Sequence, residues 1–365
     1  MKLTRNLPQF LIFGFLIVMG CFVMVACQKP AVEIVHESKE PIKIEQAKPD
    51  FNQICQNLKQ DMLAMNAQRT TLALEQVNQD IRMCLPQMQF DEQISLMKLS
   101  EKMYQQFLQI NRTASQQLAF ESYVLDQDIY PTIQQTQFEK LNIRDQYLLR
   151  HKGQAYVELV ELSSGNNRAH PNIQMAYRRS PQYLAKVFAP YLPEAERIFI
   201  ENLAVQNSEP LFKDNKLNIE AEETAHRAKF WQDYVQNYPN SRYIADARFL
   251  KNAYSSLLFL GVENSQNATS TEHTNEIGLS HEVIIDRLVH SNEGELSVKA
   301  QKFEQFEQMS PEQRLQKIQI ASKEHIKLEN NPQLLARSQL NQYLNLSPID
   351  FNHLKRDCFS DAVCS

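Results

Sequence analysis

The fold is decided by residues 221–260, which read AEETAHRAKFWQDYVQNYPNSRYIADARFLKNAYSSLLFL. In each half the apolar side chains recur every three or four residues and so share one face of a helix. They are Ala221, Ala225, Ala228, Trp231 and Val235 in the first half, and Ile244, Ala247, Leu250, Tyr254 and Leu257 in the second. Between the halves, the turn that contains Pro239 and Ser241 stops one helix and caps the next. The stretch therefore predicts an antiparallel helical hairpin.

This hairpin resembles the tetratricopeptide-type turns of envelope lipoproteins that scaffold outer-membrane and cell-wall assembly. In that motif an aromatic-Pro-x-Ser-x-aromatic step joins two helices, and Asp-Ala follows. The matching residues are Trp231, Tyr234, Tyr238, Pro239, Ser241, Tyr243, Asp246 and Ala247. Lys251 and Asn252 stand where such repeats place a glycine, and no second copy follows at a period of about 34 residues. The alternative is an ordinary hairpin with a proline turn, and in both cases neighbouring helices must cover its outer faces.

Composition extends the helical prediction to the whole body of the chain. The 365 residues include only 7 glycines, although β-rich and nucleotide-binding folds use glycine for turns and for close backbone approach. We therefore expect an all-α fold of stacked antiparallel helical hairpins, either repeat-like or arranged as an irregular α-bundle. Residues 261–280 are polar and of low complexity, which predicts a long loop or linker between a body at 51–260 and a C-terminal helical segment at 281–365.

Individual helices follow from apolar spacing and capping signals. A first helix should begin after Asp50 and a second should follow the break at Pro86, because apolar residues recur at helical spacing on either side of that proline. A third helix is expected at about 138–162, although residues 156–161 alternate well enough for a strand. Further helix starts are predicted at Ser180-Pro181, Ser310-Pro311, Asn331-Pro332 and Ser347-Pro348.

Residues 1–26 have the layout of a signal peptide. Lys2 and Arg5 precede an apolar run from Phe10 to Ala26, and polar residues follow directly. The run ends in Met24-Val25-Ala26-Cys27, which resembles a bacterial lipobox with Cys27 as the lipid attachment residue. Cys21 ends a similar tetrad and is the alternative attachment site. A retained membrane helix is a further alternative, since the run just reaches across a bilayer core.

The lipobox resemblance implies cleavage before Cys27 and acyl chains, such as palmitate, on that cysteine. Because each buried methylene stabilises the anchor by about 0.8 kcal/mol, several chains hold a protein firmly to a membrane. Residues 27–50 carry prolines and mixed charges without an apolar period, which predicts a flexible tether. Gln28 in place of Asp directly after the cysteine implies, by resemblance to the enterobacterial sorting rule, the periplasmic side of the outer membrane.

Four more cysteines would face this oxidising compartment: Cys55, Cys84, Cys358 and Cys364. Three pairings are possible. We favour Cys55 with Cys84, which would clip two successive helices, and Cys358 with Cys364, which would close a short terminal loop. A zinc site is not expected, because the cysteines lack paired Cys-x-x-Cys spacing and neighbouring histidines.

Charge and motifs exclude several classes of function. The formal charge of −5 becomes −7 once Lys2 and Arg5 are removed, which argues against a nucleic-acid partner. Glu222 and His226 lie one helical turn apart, but no second histidine follows to complete a metal site. His281 and Glu282 begin a zinc-protease pattern, but Ile285 occupies the position of its second histidine. Glu121 begins a lytic-transglycosylase pattern that nothing completes. No catalytic residue, metal or cofactor is therefore predicted.

Aromatic and arginine side chains supply the predicted interaction surface. Its residues are Arg178, Arg179, Tyr183, Tyr191, Trp231, Tyr234 and Tyr238. Such a set suits a groove for a peptide or glycan, while helical spacing alone would also explain packing around Pro190. We favour a non-enzymatic interaction or assembly module with an envelope protein as its partner. The alternatives are an envelope or cell-wall hydrolase and a small-ligand carrier, and the sequence leaves the oligomeric state open.

Overall fold

Helices make up most of the computed structural model. It describes residues 51–125, 131–163, 173–213, 216–261, 279–291, 294–318, 331–347, 349–351 and 354–365. These residues belong to one compact unit that runs from Pro49 to Ser365. The signal peptide, Cys21, Cys27 and the tether lie outside the described residues, as do residues 262–278 of the predicted linker.

Three helices form the N-terminal layer: α1 (Phe51–Ala64), α2 (Thr71–Cys84) and α3 (Phe90–Phe107), with a 3₁₀ turn at Leu85–Gln87. The expectation of one helix before Pro86 is wrong, because the chain turns between α1 and α2. There the side chain of Thr70 accepts a hydrogen bond from the amide of Ala73 and caps α2. The turn lets α1 pack antiparallel on α2, and the predicted disulfide between Cys55 and Cys84 joins them.

The next part of the chain corrects a second expectation. Helices α4 (Ala114–Leu125), α5 (Pro131–Glu139) and α6 (Ile143–Arg150) are followed by a 3₁₀ turn at Gln154–Tyr156 and by strands β1 (Val157–Ser163) and β2 (Ile173–Arg179). The two strands pair antiparallel. The predicted single helix at 138–162 is therefore wrong after Arg150, where α6 ends. The alternating pattern at 156–161 marks strand β1, which begins at Val157.

Backbone conformation explains why the helix stops before this hairpin. Gly153, Ala155 and Tyr156 all have positive φ, at 86°, 46° and 58°. The amide of Gly153 donates to the carbonyl of Val157 at 2.8 Å and closes the turn. Left-handed residues cannot continue a right-handed helix, so the chain leaves α6 and enters the strand.

The described residues after β2 form mainly helices, together with one very short hairpin. The elements are α7 (Gln182–Val187), a 3₁₀ turn (Ala189–Tyr191), α8 (Glu194–Gln206), β3 (Phe212–Lys213), β4 (Lys216–Leu217), α9 (Ala221–Asn237), α10 (Ile244–Leu260), α11 (Leu279–Ser291), α12 (Gly294–Glu307), α13 (Pro311–Lys317) and α14 (Pro332–Tyr343). Ser310 forms a capping box with Gln313, and Asn331 caps α14, both at predicted helix starts. Helix α7 begins two residues after Ser180, and Pro348 lies outside the described residues.

Stacked hairpins build the core, as the sequence predicts. Helices α9 and α10 form the hairpin of residues 221–260, and α11 and α12 form a second hairpin that packs against α9. Helix α14 packs against α10 and α12. The all-α prediction is confirmed, with the β1–β2 and β3–β4 hairpins as small additions to the helices.

Helix α10 lies at the centre of this stack. Its last eight residues, 253–260, are all buried, so this half of the helix contacts protein on every side. Its final carbonyl groups have partners from other helices: His281 lies 2.7 Å from the carbonyl oxygen of Leu258, and Arg337 donates to that of Leu260. Gly261 then ends the helix at φ 65° and ψ −165°, a conformation that is essentially restricted to glycine.

We expect Leu258→Ala, in the buried half of α10, to lower the free energy of unfolding by about 2–5 kcal/mol, because it opens a cavity where helices meet. Leu258 is 3% exposed. The matched control is Leu72→Ala on α2, where the side chain is 79% exposed and the change should be small. Urea unfolding of both variants measures the difference, and equal effects would contradict the central position of α10.

An ion-pair cluster joins α10 to α12. Lys251 Nζ lies 2.8 Å from one carboxylate oxygen of Glu295, and Lys299 Nζ lies 2.9 Å from the other. Burial by itself would raise the pKa of Glu295, but the hydrogen bonds and charges of the two lysines outweigh it and lower the pKa to about 2. The carboxylate therefore stays ionised in the folded protein to an acidity at which an unfolded glutamate is protonated.

This lowered pKa predicts how stability depends on pH. Because the folded protein holds the ionised form more strongly than the unfolded chain, Glu295 contributes its full stabilisation above pH 4.5 and loses it as pH falls towards 2. The difference in unfolding free energy between the native chain and Glu295→Gln should shrink over that range. Urea titrations at a series of pH values, with exposed Glu307→Gln as control, would measure it, and a difference that stays constant with pH would refute the assignment.

Candidate functional site

The predicted interaction surface is largely internal. Tyr183, Trp231 and Tyr234 are at most 2% exposed, and Arg179 is 8% exposed. These four side chains pack inside the protein and cannot contact a partner, so the prediction of a surface is wrong for them. Arg178, Tyr191 and Tyr238 are only half-buried. Helical spacing had marked the aromatic residues because they face the core, which is the packing alternative that the sequence left open.

The turn between α9 and α10 is anchored by a carboxylate that sequence reasoning missed. Glu196 on α8 is 6% exposed. Its Oε1 accepts hydrogen bonds from the hydroxyl of Ser241, at 3.1 Å, and from the amide of Arg242, at 2.9 Å. Ser241 Oγ also lies 2.8 Å from the hydroxyl of Tyr234. The serine of the repeat-like motif therefore connects the hairpin to α8.

The aromatic residues of the motif complete this contact. Trp231 Nε1 donates to the side chain of Gln206 at 3.0 Å, and the hydroxyl of Tyr234 donates to the carbonyl of Ala195 at 2.9 Å. Burial raises the pKa of Tyr234 to about 12, so this hydroxyl remains a donor at neutral pH. The ring of Phe199 packs against those of Trp231 and Tyr234. The motif residues thus hold α8, α9 and α10 in fixed positions.

A second polar site surrounds the C-terminal residues. We call residues 357–365 the terminal loop. The predicted disulfide between Cys358 and Cys364 closes it, and the backbones of Asp357 and Ser365 exchange two hydrogen bonds, at 3.0 and 2.9 Å. Cys358 and Ala362 are fully buried. The loop is therefore packed into the protein rather than exposed as a tail.

Three side chains hold the terminal loop, and we call Arg178, Arg179 and Asn207 the loop-binding residues. Arg178 Nη1 donates to the carbonyl of Ser360 at 2.9 Å, while its Nε contacts the carboxylate of Glu158 at 2.6 Å. Asn207, which follows α8, donates through Nδ2 to the carbonyls of Cys358 and Asp361, at 2.9 and 2.6 Å. Main-chain carbonyls of the loop thus find partners on β2 and at the end of α8.

Arg179 makes the charged contact of this site. Its Nη2 donates to the carboxylate of Asp361, and its Nη1 donates to Ser100 Oγ at 3.0 Å. The guanidinium also lies over the rings of Tyr104 and Tyr183, with its carbon 5.8 and 5.2 Å from their centroids. A buried guanidinium without a partner would cost several kcal/mol. Asp361 therefore matters to the core beneath the loop as well as to the loop itself.

Helix α10 contributes an acidic and an aromatic contact beside the loop. Asp246 is 5% exposed and lies 2.6 Å from Arg356, just before the loop. Burial raises the pKa of Asp246, although Arg356 opposes that shift. The ring of Phe359 packs against Phe249, Tyr254 and Phe351. Residues of α10 thus cover the side of the loop that β2 leaves open.

One cluster has the composition of a metal site. A carboxylate oxygen of Asp246 and the sulfur atoms of Cys358 and Cys364 lie within 4.8 Å of one another. Both sulfurs are bonded in the disulfide, whereas metals bind the free thiolate. The cluster therefore cannot act as a three-ligand site while the disulfide is intact.

The histidine and glutamate pairs that the sequence analysis considered do not form a site in the structure. His281 is buried against the carbonyl of Leu258, and Glu282 is exposed. Glu222 pairs with Arg287 at 2.7 Å, whereas His226 lies nearer to Glu223, at 3.8 Å. Glu222 and His226, which the sequence did not favour as a functional pair, thus have different neighbours.

A shallow depression lies on the outer side of α11. Its lining residues are Val283, Asp286, Arg287, His290 and Ser291. His290 lies one helical turn after Asp286 and contacts its carboxylate. A hydrogen bond to the backbone of Asp286 and the charge of that carboxylate raise the pKa of this exposed histidine. The depression is open to solvent and combines one ion pair with apolar wall, so it does not define a reaction.

Comparisons with known proteins add no family to this description. No family model, curated protein or solved structure matches the chain. Within the described residues, no helix is long and apolar enough to cross a membrane.

We expect Glu196→Ala to lower the free energy of unfolding by about 1–3 kcal/mol, because it leaves the hydroxyl of Ser241 and the amide of Arg242 without their buried acceptor. The control is Glu209→Ala, which removes an exposed carboxylate outside any helix. Thermal or urea unfolding would compare the two variants. A Glu196 variant as stable as the control would show that the turn does not depend on α8.

Proposed function

We propose that this protein is a lipid-anchored interaction module of a bacterial cell envelope. In this proposal the chain is cleaved before Cys27, lipidated there, and held on the periplasmic side of the outer membrane. The helical body would lie beyond a flexible tether of residues 27–50 and bind an envelope protein. The anchor comes from the lipobox resemblance, and the body is the helical unit described above.

The observation that carries the proposal is the state of the cysteines. The four cysteines of the body form two disulfides, Cys55–Cys84 and Cys358–Cys364. Disulfides persist in exported proteins and are rare in the reducing cytosol. Paired cysteines therefore support the export that the leader at 1–26 predicts, and each feature is independent of the other.

The architecture supports an interaction role. Stacked helical hairpins present long, rigid faces, and repeat proteins of this kind use such faces to bind partners. The residues that match the tetratricopeptide-type motif do position a hairpin here, through Glu196 and Ser241. This behaviour agrees with the resemblance to envelope lipoproteins that scaffold assembly.

We expect Cys27→Ser to release the protein from membranes without unfolding it, because the substitution removes the acyl chains and leaves both disulfides of the body intact. Membrane fractionation and metabolic palmitate labelling would measure the effect. The matched control is Cys21→Ser, which should remain labelled and membrane-bound. Labelling that persists in the Cys27 variant and disappears in the Cys21 variant would show that Cys21 is the attachment residue.

The partner is tested by photo-crosslinking in living cells. Crosslinking residues placed at exposed Gln236 and Arg248 probe the α9–α10 hairpin, and one at exposed Asp61 on α1 serves as a control for position. We expect a single envelope protein to be captured from the hairpin and not from α1. Absence of any position-specific adduct at all three sites would count against an interaction module.

A further inference from the structure

The two disulfides differ in what holds their cysteines together. Cys55 and Cys84 lie on α1 and α2, whose buried side chains, including Leu58 and Ile81, pack the helices against each other. Packing would keep these sulfurs close even without the bond. Cys358 and Cys364 belong to the terminal loop, which contains neither helix nor strand. Here the covalent bond itself defines the shape of the segment.

That shape determines how the terminal loop is bound. The loop-binding residues contact carbonyl groups of Cys358, Ser360 and Asp361, together with the carboxylate of Asp361. All these groups lie within the ring that the disulfide closes. A ring of fixed shape presents them together, whereas an opened segment must lose conformational entropy to do so. Disulfide formation and loop binding are therefore thermodynamically coupled, and each must favour the other by the same factor.

We propose that the Cys358–Cys364 disulfide is a redox latch: its reduction by a dithiol releases the terminal loop and exposes Arg178, Arg179 and Asn207. The Cys55–Cys84 disulfide has no such role and serves only to join α1 to α2. The latch concerns the folded body alone and does not depend on the lipid anchor.

The chemistry of opening follows ordinary thiol–disulfide exchange. A thiolate of the dithiol attacks the sulfur of half-buried Cys364, and the S–S bond breaks. Fully buried Cys358 leaves as a thiolate and takes up a proton. The second thiol of the reductant then attacks the mixed disulfide and frees Cys364. Overall the protein gains two electrons and two protons, and the dithiol is oxidised to its own disulfide.

Release changes the charge of the surface beneath the loop. Arg179 loses the carboxylate of Asp361, and Asn207 loses two carbonyl acceptors. Arg178 keeps Glu158 but loses the carbonyl of Ser360. The exposed site then presents the donor groups of Arg178, Arg179 and Asn207 that had been directed at the loop, while Arg178 keeps the carboxylate of Glu158 and Arg179 keeps Ser100 Oγ. Reduction thus converts a closed polar core into a surface rich in hydrogen-bond donors.

The test is a redox titration of the full chain in mixtures of reduced and oxidised dithiothreitol. Differential alkylation with mass spectrometry would follow each cysteine pair, and hydrogen–deuterium exchange would follow the backbone. We expect Cys358–Cys364 to open first and the amides of residues 357–365, 178–179 and 207 to exchange faster, while α1 and α2 remain protected. Both disulfides opening together with global unfolding, or opening of Cys358–Cys364 without faster exchange, would overturn the latch.

Variants test the coupling directly. Asn207→Ala removes two contacts with the loop and should raise the equilibrium constant for reduction of Cys358–Cys364 by about 5- to 150-fold, the usual size of coupling between two sites. The matched control is Asn237→Ala, an exposed asparagine at the end of α9. The control should leave both disulfides unchanged. An Asn207 variant with an unchanged constant would disprove the coupling.

Two further variants keep the proposal testable if Asn207→Ala does not fold. Arg178→Met removes the contact with Ser360 from a half-buried position and should shift the same equilibrium in the same direction. The double variant Cys358→Ser with Cys364→Ser should show fast exchange of the loop without any dithiol. Cys55→Ser with Cys84→Ser is its control and should leave the loop protected. A protected loop in the first double variant would reject the latch.

Discussion

The structure depends on the burial of one helix from all sides. Residues 253–260 of α10 expose almost no surface, so the helix needs neighbours around its whole circumference. Helices α9 and α14 pack against it, and α12 contacts it through the ring pair Phe259–Phe303 and the ion pair Lys251–Glu295. The terminal loop covers another part of it, where the ring of Phe359 packs against Phe249 and Tyr254. A helix in this position has no water to satisfy its last carbonyl groups. His281 and Arg337 supply that role from two other helices.

Polar contacts inside the body join segments that are distant in the chain. Glu196 connects α8 to the turn at Ser241, and Arg179 connects β2 to Asp361 near the C-terminus. Removing one partner of such a contact would destabilise the folded state, because the remaining buried charge has lost its hydration and has no compensating interaction. Such contacts select one arrangement of the hairpins over others with similar apolar burial. They also make the last residues of the chain part of its core.

Local patterns predicted the elements well where one period was dominant. The helical spacing in 221–260 correctly marked α9 and α10, and capping signals at Ser310 and Asn331 correctly marked helix starts. Residues 156–161 fitted both the helical and the strand period. The strand forms because Leu159 pairs with Tyr177 of β2 and both pack against the cluster that contains Phe120. The signal for all-round burial was also present, in the unbroken apolar run from Leu257 to Leu260. An apolar stripe on one face predicts a helix that packs on one side only, whereas apolar residues on every face predict a helix that is buried all round.

The sequence by itself determined the helical class and the hairpin at 221–260, and it favoured one of three possible cysteine pairings, because apolar spacing, capping residues and cysteine positions are local features of the chain. Only the tertiary structure decided which polar side chains matter. Glu196, Asn207 and Asp361 carry no motif, and their importance arises from partners 45, 151 and 182 residues away. Tertiary packing also explains why Trp231 and Tyr234, predicted on a surface, lie in the core. An aromatic residue at helical spacing fits either place, and the neighbouring helix decides between them.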